Sequence, residues 1–139
     1  MSIQAIKGVE FGMGFGVGEV TGDKVQDEIF YDGSYKRSTN NLGGIEGGMT
    51  NGEPLIVRAA MKPIPTQYTP LNTVNIDSKE STKASVERSD VCAVPACSVV
   101  VESAVAFEVT KAFLEKFSGD SLDDIKTSYK NYIDRIKNY

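Results

Sequence analysis

The chain has 139 residues and a mass of 15.1 kDa, 40% hydrophobic and 24% charged, which suits one domain with one ordinary core and disfavours wholesale disorder. Fifteen Lys and Arg against nineteen Asp and Glu give a net charge of −4 and a pI near 4.9; with no basic stretch, a nucleic-acid partner is not expected, though local arginines can still hold an anionic small molecule. Histidine is absent, which excludes Ser-His-Asp and Cys-His nucleophiles, His-ligated zinc and any His general acid or base supplied by this chain.

From Ile6 to Val20 the pattern is strand-like but broken by Gly8, Gly12, Gly14, Gly16 and Gly18, and glycine in a strand marks a bulge or the close approach of another backbone or ligand. Thr21 to Pro54 is polar and turn-rich, an unusually long irregular segment of the kind that is functional or disordered. Leu55 to Met61 reads as a strand ended by Pro63 and Pro65, with a weaker strand at Thr73 to Ile76. Asp77 to Glu87 reads as an exposed connection.

A helix is expected from Ala96 to Phe117, stopped at Ser118-Gly119. Val100, Ala104, Phe107 and Leu114 line one side, with Val105, Val109 and Phe113 beside them, so burial around much of the helix is expected. A last helix starts at the capping-box-like Ser121-Leu-Asp-Asp124, and Leu122, Ile125, Tyr129, Ile133 and Ile136 form its apolar stripe. Its aromatics read as core rather than as a cofactor stack.

No apolar run approaches the roughly 20 residues of a membrane span, and the N-terminus lacks the pattern of a signal peptide. There is no Asn-x-Ser/Thr site, so a cytoplasmic protein without membrane association is expected. Cys92 and Cys97 lack redox-pair or zinc-knuckle spacing and read as two free, buried thiols.

The run Gly12 to Gly18 does not complete G-x-G-x-x-G, and no Gly-Lys-Ser/Thr follows, so both standard phosphate loops are excluded. Lys36 to Gly52 concentrates glycines, amides and the forked guanidinium of Arg37. That chemistry suits cradling a polar, anionic ligand, and equally a flexible surface loop. Arg88 and Asp90, two apart in an extended segment, face the same way. They suit either an anion anchor with a proton-handling carboxylate or a surface ion pair.

Several motifs together resemble the C-terminal part of chorismate synthase, from Ile3 to about Val109. Ile3-Gln-Ala-Ile-Lys-Gly-Val-Glu-Phe-Gly12 resembles the approach to that family's central glycines, and Asp27-Glu28 its acidic pair. Arg37 to Gly52 is similar to its Thr-Asn-x-Gly-Gly-x-x-Gly-Gly signature, Lys62-Pro63 to its Lys-Pro-Thr, and Arg88-Ser-Asp-Val-Cys92 to its Arg-x-Asp-Pro-Cys. Three positions depart from the pattern: Val91 replaces proline, Ala96 an arginine, and Ile64 the threonine of Lys-Pro-Thr.

The resemblance implies an α+β fold, part of a β-α-β sandwich in which antiparallel strands pack on helices, with two C-terminal helices. Residues 1–119 then belong to the chorismate synthase-like domain and 120–139 form a C-terminal amphipathic helix. The implied reaction is the anti 1,4-elimination of phosphate from 5-enolpyruvylshikimate 3-phosphate to give chorismate, with reduced FMN, in a homotetramer. By position, the resemblance implies flavin contacts at Gln4, Ala5, Gly47, Lys62, Pro63, Ile64, Pro65, Thr66 and Arg88, and a proton-handling role for Asp90. Family members are more than twice this long, and their N-terminal part carries the catalytic histidines. The expectation is therefore one wall of a site, inactive alone, in a homo-oligomer or paired with an N-terminal half. The alternatives are a non-catalytic flavin-binding or subunit-interaction module, or an inactive remnant.

Overall fold

A computed structural model of the chain describes residues 1–87 and 92–138. In chain order come β1 (Ile6–Phe11), a 3-10 turn (Gly14–Glu19), α1 (Gly22–Val25), β2 (Ile29–Tyr31), β3 (Tyr35–Arg37), β4 (Ile45–Glu46) and β5 (Met49–Thr50). β6 (Val57–Met61), β7 (Asn72–Val74), β8 (Ser81–Lys83), α2 (Val94–Lys116) and α3 (Leu122–Lys137) follow. The strands pair antiparallel as β1–β6, β2–β3, β4–β5 and β7–β8, so the fold is α+β.

The β1–β6 ladder organises the molecule. Val57, Ala59 and Met61 alternate with the exposed Arg58 and Ala60, as a pleated strand with one covered face requires. Val9 lies opposite Ala59 and Phe11 opposite Val57, on the same face, and a bulge between Ile6 and Gly8 brings Ile6 opposite Met61. α2 packs against that face. Leu55, Val57, Ala59 and Met61 line one side of a cleft of about 550 Å³, and Val94, Cys97, Val101, Val105 and Val109 line the other.

Of the apolar surface expected on this helix, the flank with Val105 and Val109 turns inward and the side with Val100, Phe107 and Leu114 does not. Cys97, Val101, Val105 and Val109 meet the sheet, whereas Val100, Phe107 and Leu114 are exposed, Phe107 to 71%. α2 is apolar on several sides, so periodicity alone cannot select its packed face. Burial around much of its circumference is not reached within this chain: no described α2 residue is buried. Only one thin sheet covers it.

The same thinness shows in the whole chain. Its accessible surface is 11180 Å², against about 7,100 Å² for a compact monomer of this mass. Among the described residues Ile6 and Phe117 are the buried hydrophobic ones. Phe117 sits at the joint of the two helices, with its ring 4.8 Å from Phe113 and 5.4 Å from both Tyr129 and Tyr132. The expected capping box starts α3: the Asp124 amide donates to the Ser121 hydroxyl, and the Ser121 amide to the Asp124 carboxylate. Gly119 has to be glycine, because a Cβ there would overlap Asp124.

Three further expectations change. The glycine run after Phe11 is a 3-10 turn rather than a strand. Ser81–Lys83, expected within a connection, is a strand paired with Asn72–Val74. The missed signal is Asn75, whose side-chain oxygen accepts from the amides of Asp77 and Ser78 and closes the turn between them. The cysteines are free, but Cys92 is exposed just before α2 and Cys97 is only half-buried beside the open cleft.

Exposed apolar surface of this extent drives association. The chain is predicted to self-associate with rising concentration in sedimentation velocity, and Phe107→Lys with Leu114→Glu to shift it toward monomer. A monomer at every concentration would contradict this.

Candidate functional site

The long polar segment is folded around one carboxylate. Asp27 is 4% exposed. Its Oδ1 accepts from the Thr39 hydroxyl at 2.6 Å and the Asn41 amide at 2.7 Å, and its Oδ2 from the Leu42 amide at 3.0 Å. Burial, the largest influence, pushes the carboxyl up; the bonds from Thr39, Leu42 and Asn41 and the charge of Arg37 together outweigh it, so the group lies below its ordinary value near 3.8.

Beyond this hub the segment is tied to the ladder. The Met13 amide donates to the Asn41 carbonyl at 2.6 Å, the Gly12 amide to Ile56, and the Ile56 amide to Gly43. Gly12 and Gly43 both have positive φ, and a Cβ on either would overlap backbone of the other segment. The glycines admit a close backbone crossing, as the sequence suggested for Gly12. Arg58, opposite Glu10, pairs with it at 3.0 Å and donates to the Gly12 carbonyl at 2.8 Å; Glu10 in turn accepts from the Phe15 amide.

From this crossing β4 and β5 project as a minimal hairpin, turned by Gly47 and Gly48 at φ 58° and 77°. Positive φ at both loop residues marks a type I′ turn. Both glycines are exposed, with open space where a Cβ would stand. Arg37 does not extend toward a ligand. Its Nη1 donates to the Asp27 carbonyl at 3.0 Å and its Nη2 pairs with Glu46 at 2.7 Å, so its charge is already matched inside the loop. The reading of Arg37 as part of an anion cradle is corrected on that ground.

A second cluster lies at the opposite end of the ladder. The Ile6 amide donates to the Ile3 carbonyl, making Gln4 and Ala5 the central residues of a β-turn. Ala5 has φ 69°, the conformation that favours glycine at the third position of a type II turn. The Lys62 amide donates to the Ala5 carbonyl at 2.7 Å. The structure thus brings Gln4 and Ala5 together with the start of the Lys62–Thr66 segment. Gln4, Lys62, Pro63 and Pro65 are exposed, while Ile64 and Thr66 are half-buried. Among the described residues Lys62 makes no ion pair.

Gly47 is not brought to this cluster: its hairpin springs from the Gly12 end of β1. Arg88 and Asp90 lie outside the described residues. Among the described residues no group of three or more His, Cys, Asp or Glu converges as metal ligands, and no helix is long and apolar enough to cross a membrane. Sequence reasoning missed the parts played by Asp27 and Glu46. The available signal was a carboxylate placed ahead of the donor-rich run Thr39-Asn40-Asn41.

Comparison with known proteins places this arrangement. The family model for chorismate synthase matches residues 1–114. Curated chorismate synthases of Geobacter metallireducens and Geotalea daltonii are 55% and 57% identical over 100% of this chain, which covers 38% of each. That of Desulfitobacterium hafniense is 57% identical over 95% of this chain and 35% of its own length. A crystal structure of chorismate synthase, 42% identical, superposes with a TM-score of 0.78 over 100% of this chain and 35% of that one. The chain belongs to the chorismate synthase family, and it spans little more than a third of the length of these curated relatives.

Asp27→Asn keeps one acceptor but sets an N–H donor against the Leu42 amide, so it is predicted to cost about 1–3 kcal/mol in urea unfolding at pH 7. Because folding lowers the Asp27 pKa, its contribution is full above the unfolded value of about 3.9 and is lost as pH falls through the folded value. Between pH 5 and pH 2.5 the wild type should therefore lose more stability than Asp27→Asn. Parallel losses would contradict the assignment.

Proposed function

We propose that this chain forms one wall of the reduced-FMN site of a chorismate synthase, acting in the anti 1,4-elimination of phosphate from 5-enolpyruvylshikimate 3-phosphate. The observation that carries the reading is the hydrogen bond from the Lys62 amide to the Ala5 carbonyl, at 2.7 Å. It joins two segments that separately resemble flavin-contacting motifs of the family to which the chain belongs.

The residues present fit such a cofactor. The Lys62 ammonium, which makes no ion pair among the described residues, stands beside the exposed Pro63 and Pro65 and the half-buried Ile64 and Thr66 and complements a phosphate-bearing flavin tail. Gln4 offers amide donors and an acceptor from its exposed turn position. Open space at Gly47 lets a ring approach the backbone closely. Reduced FMN, when bound, would supply an electron-rich ring without net oxidation. In this reading Arg88 complements anionic charge and Asp90 handles a proton next to the cofactor. On the same reading residues 1–119 form the synthase-like unit, and 120–139 are its C-terminal segment, which carries α3 (Leu122–Lys137).

The chain holds no histidine; in this reading the family's histidine acid at the leaving phosphate is supplied by an N-terminal part. The surface in excess of a compact monomer favours the same arrangement, and also favours a second reading, a subunit-interaction module without catalysis.

The chain with reduced FMN and substrate is predicted to show no turnover. Adding the remaining N-terminal part of the Geobacter metallireducens relative should restore it. Turnover by the chain alone at the level of a full-length synthase would contradict the one-wall reading. Binding to intact synthase without complementation would support the interaction module instead.

Lys62→Ala is predicted to weaken FMN binding by about 10- to 100-fold, as expected for loss of a charged hydrogen-bond donor. Gly47→Ala and Gly47→Asn should both weaken it, because any Cβ obstructs the flavin. Full binding by Gly47→Asn, a residue that tolerates positive φ, would show that the glycine serves the turn alone.

A further inference from the structure

We propose that Glu46 is a positioning residue that holds the Gly47–Gly48 turn in its flavin-contacting shape, anchored through Arg37 on one side and Asn51 on the other. The proposal rests on the flavin reading of Gly47.

The hairpin cannot hold itself. Its ladder consists of two residue pairs, Ile45 with Thr50 and Glu46 with Met49, and so short a hairpin is not independently stable. Its turn is two glycines, the residues that lose most backbone freedom on ordering. Beyond the adjoining residues, no atom of the described residues stands within 4 Å of an ideal Cβ at either one. Order at the turn must therefore come from the residues that flank it.

Glu46 is the flanking residue with the means. Its Oε2 pairs with Arg37 Nη2 at 2.7 Å and accepts from Asn51 Nδ2 at 2.7 Å. Asn51 is fixed in turn: its amide donates to the Gly44 carbonyl at 3.1 Å, and its Oδ1 accepts from the Glu53 amide at 3.0 Å. Arg37 is fixed through the Asp27 carbonyl. The Arg37 and Glu46 side chains are only 20% and 25% exposed, so the pair is shielded and networked, unlike a surface ion pair. Glu46 thus connects the turn to the buried Asp27 hub and presents the glycine backbone in one preset shape. A preset shape spares the ligand the cost of ordering it.

The test is titration of oxidised FMN, read by flavin fluorescence and absorption, into the full chain and into the chain mixed with the N-terminal part of the Geobacter metallireducens relative. Glu46→Ala should weaken binding about tenfold, shift the bound-flavin spectrum and speed amide exchange at Asn51, with a smaller loss of thermal midpoint than Asp27→Asn. Asn51→Ala should act in the same direction from the other side. Glu46→Gln retains the acceptor and should stay within about threefold of wild type.

Wild-type binding by Glu46→Ala, with loss in Gly47→Ala, would overturn the positioning role and leave the flavin reading standing. A midpoint loss in Glu46→Ala as large as that of Asp27→Asn would overturn it as well, since Glu46 would then act on the fold. No FMN uptake in either preparation, or uptake unaffected by Gly47→Ala, would overturn the flavin reading and this proposal with it.

Discussion

A carboxylate withdrawn from water has to be given hydrogen bonds, because an ionised group buried without partners costs several kcal/mol. Asp27 meets that demand with the Thr39 hydroxyl and the amides of Asn41 and Leu42, and in doing so it folds a segment most of whose large apolar residues, Ile29, Phe30, Tyr31, Tyr35 and Met49, stay exposed. Much of the nearby geometry depends on this one group. With Asn41 held, its carbonyl receives the Met13 amide, Gly43 crosses Gly12, and Arg37 reaches both the Asp27 carbonyl and Glu46. The polar loop is ordered by electrostatics where most segments of a domain are ordered by hydrophobic burial.

The apolar part of the chain, by contrast, is incomplete by itself. One two-stranded ladder meets one stripe of α2, and the opposite stripe, with Phe107 and Leu114, faces outward. The curated relatives are more than twice as long as the segment they share with this chain. On the reading proposed above, the surface that lacks cover here and the catalytic acid that lacks a histidine here are supplied by the same additional polypeptide. Stability and chemistry would then be completed together.

Much of the architecture was legible from residue pattern. β6 followed from the apolar run Leu55 to Met61, α3 from its capping box and apolar stripe, and the break after Met61 from Pro63 and Pro65. The packed face of α2 was not, because a helix apolar on several sides has no unique inward direction. β8 was hidden by its polar composition and by an Asn75 turn that depends on side-chain hydrogen bonds. At the candidate site, Gln4, Ala5 and Lys62–Thr66 were flagged by family resemblance alone. Their juxtaposition runs through a backbone amide and a backbone carbonyl, which no side-chain pattern reports. Arg37, left open between an anion cradle and a surface loop, is settled by partners that its residue type does not show, Glu46 and the Asp27 carbonyl.

The account makes Asp27 the origin of order in the glycine-rich loop, and amide hydrogen exchange on the intact chain reads that order directly. The Asn41 and Leu42 amides, both bonded to the Asp27 carboxylate, are predicted to be among the slowest to exchange between residues 26 and 54. They should be far slower than the exposed loop between β7 and β8. Exchange at the rate of that loop would contradict the central claim, since the carboxylate would then not be holding the segment that surrounds it.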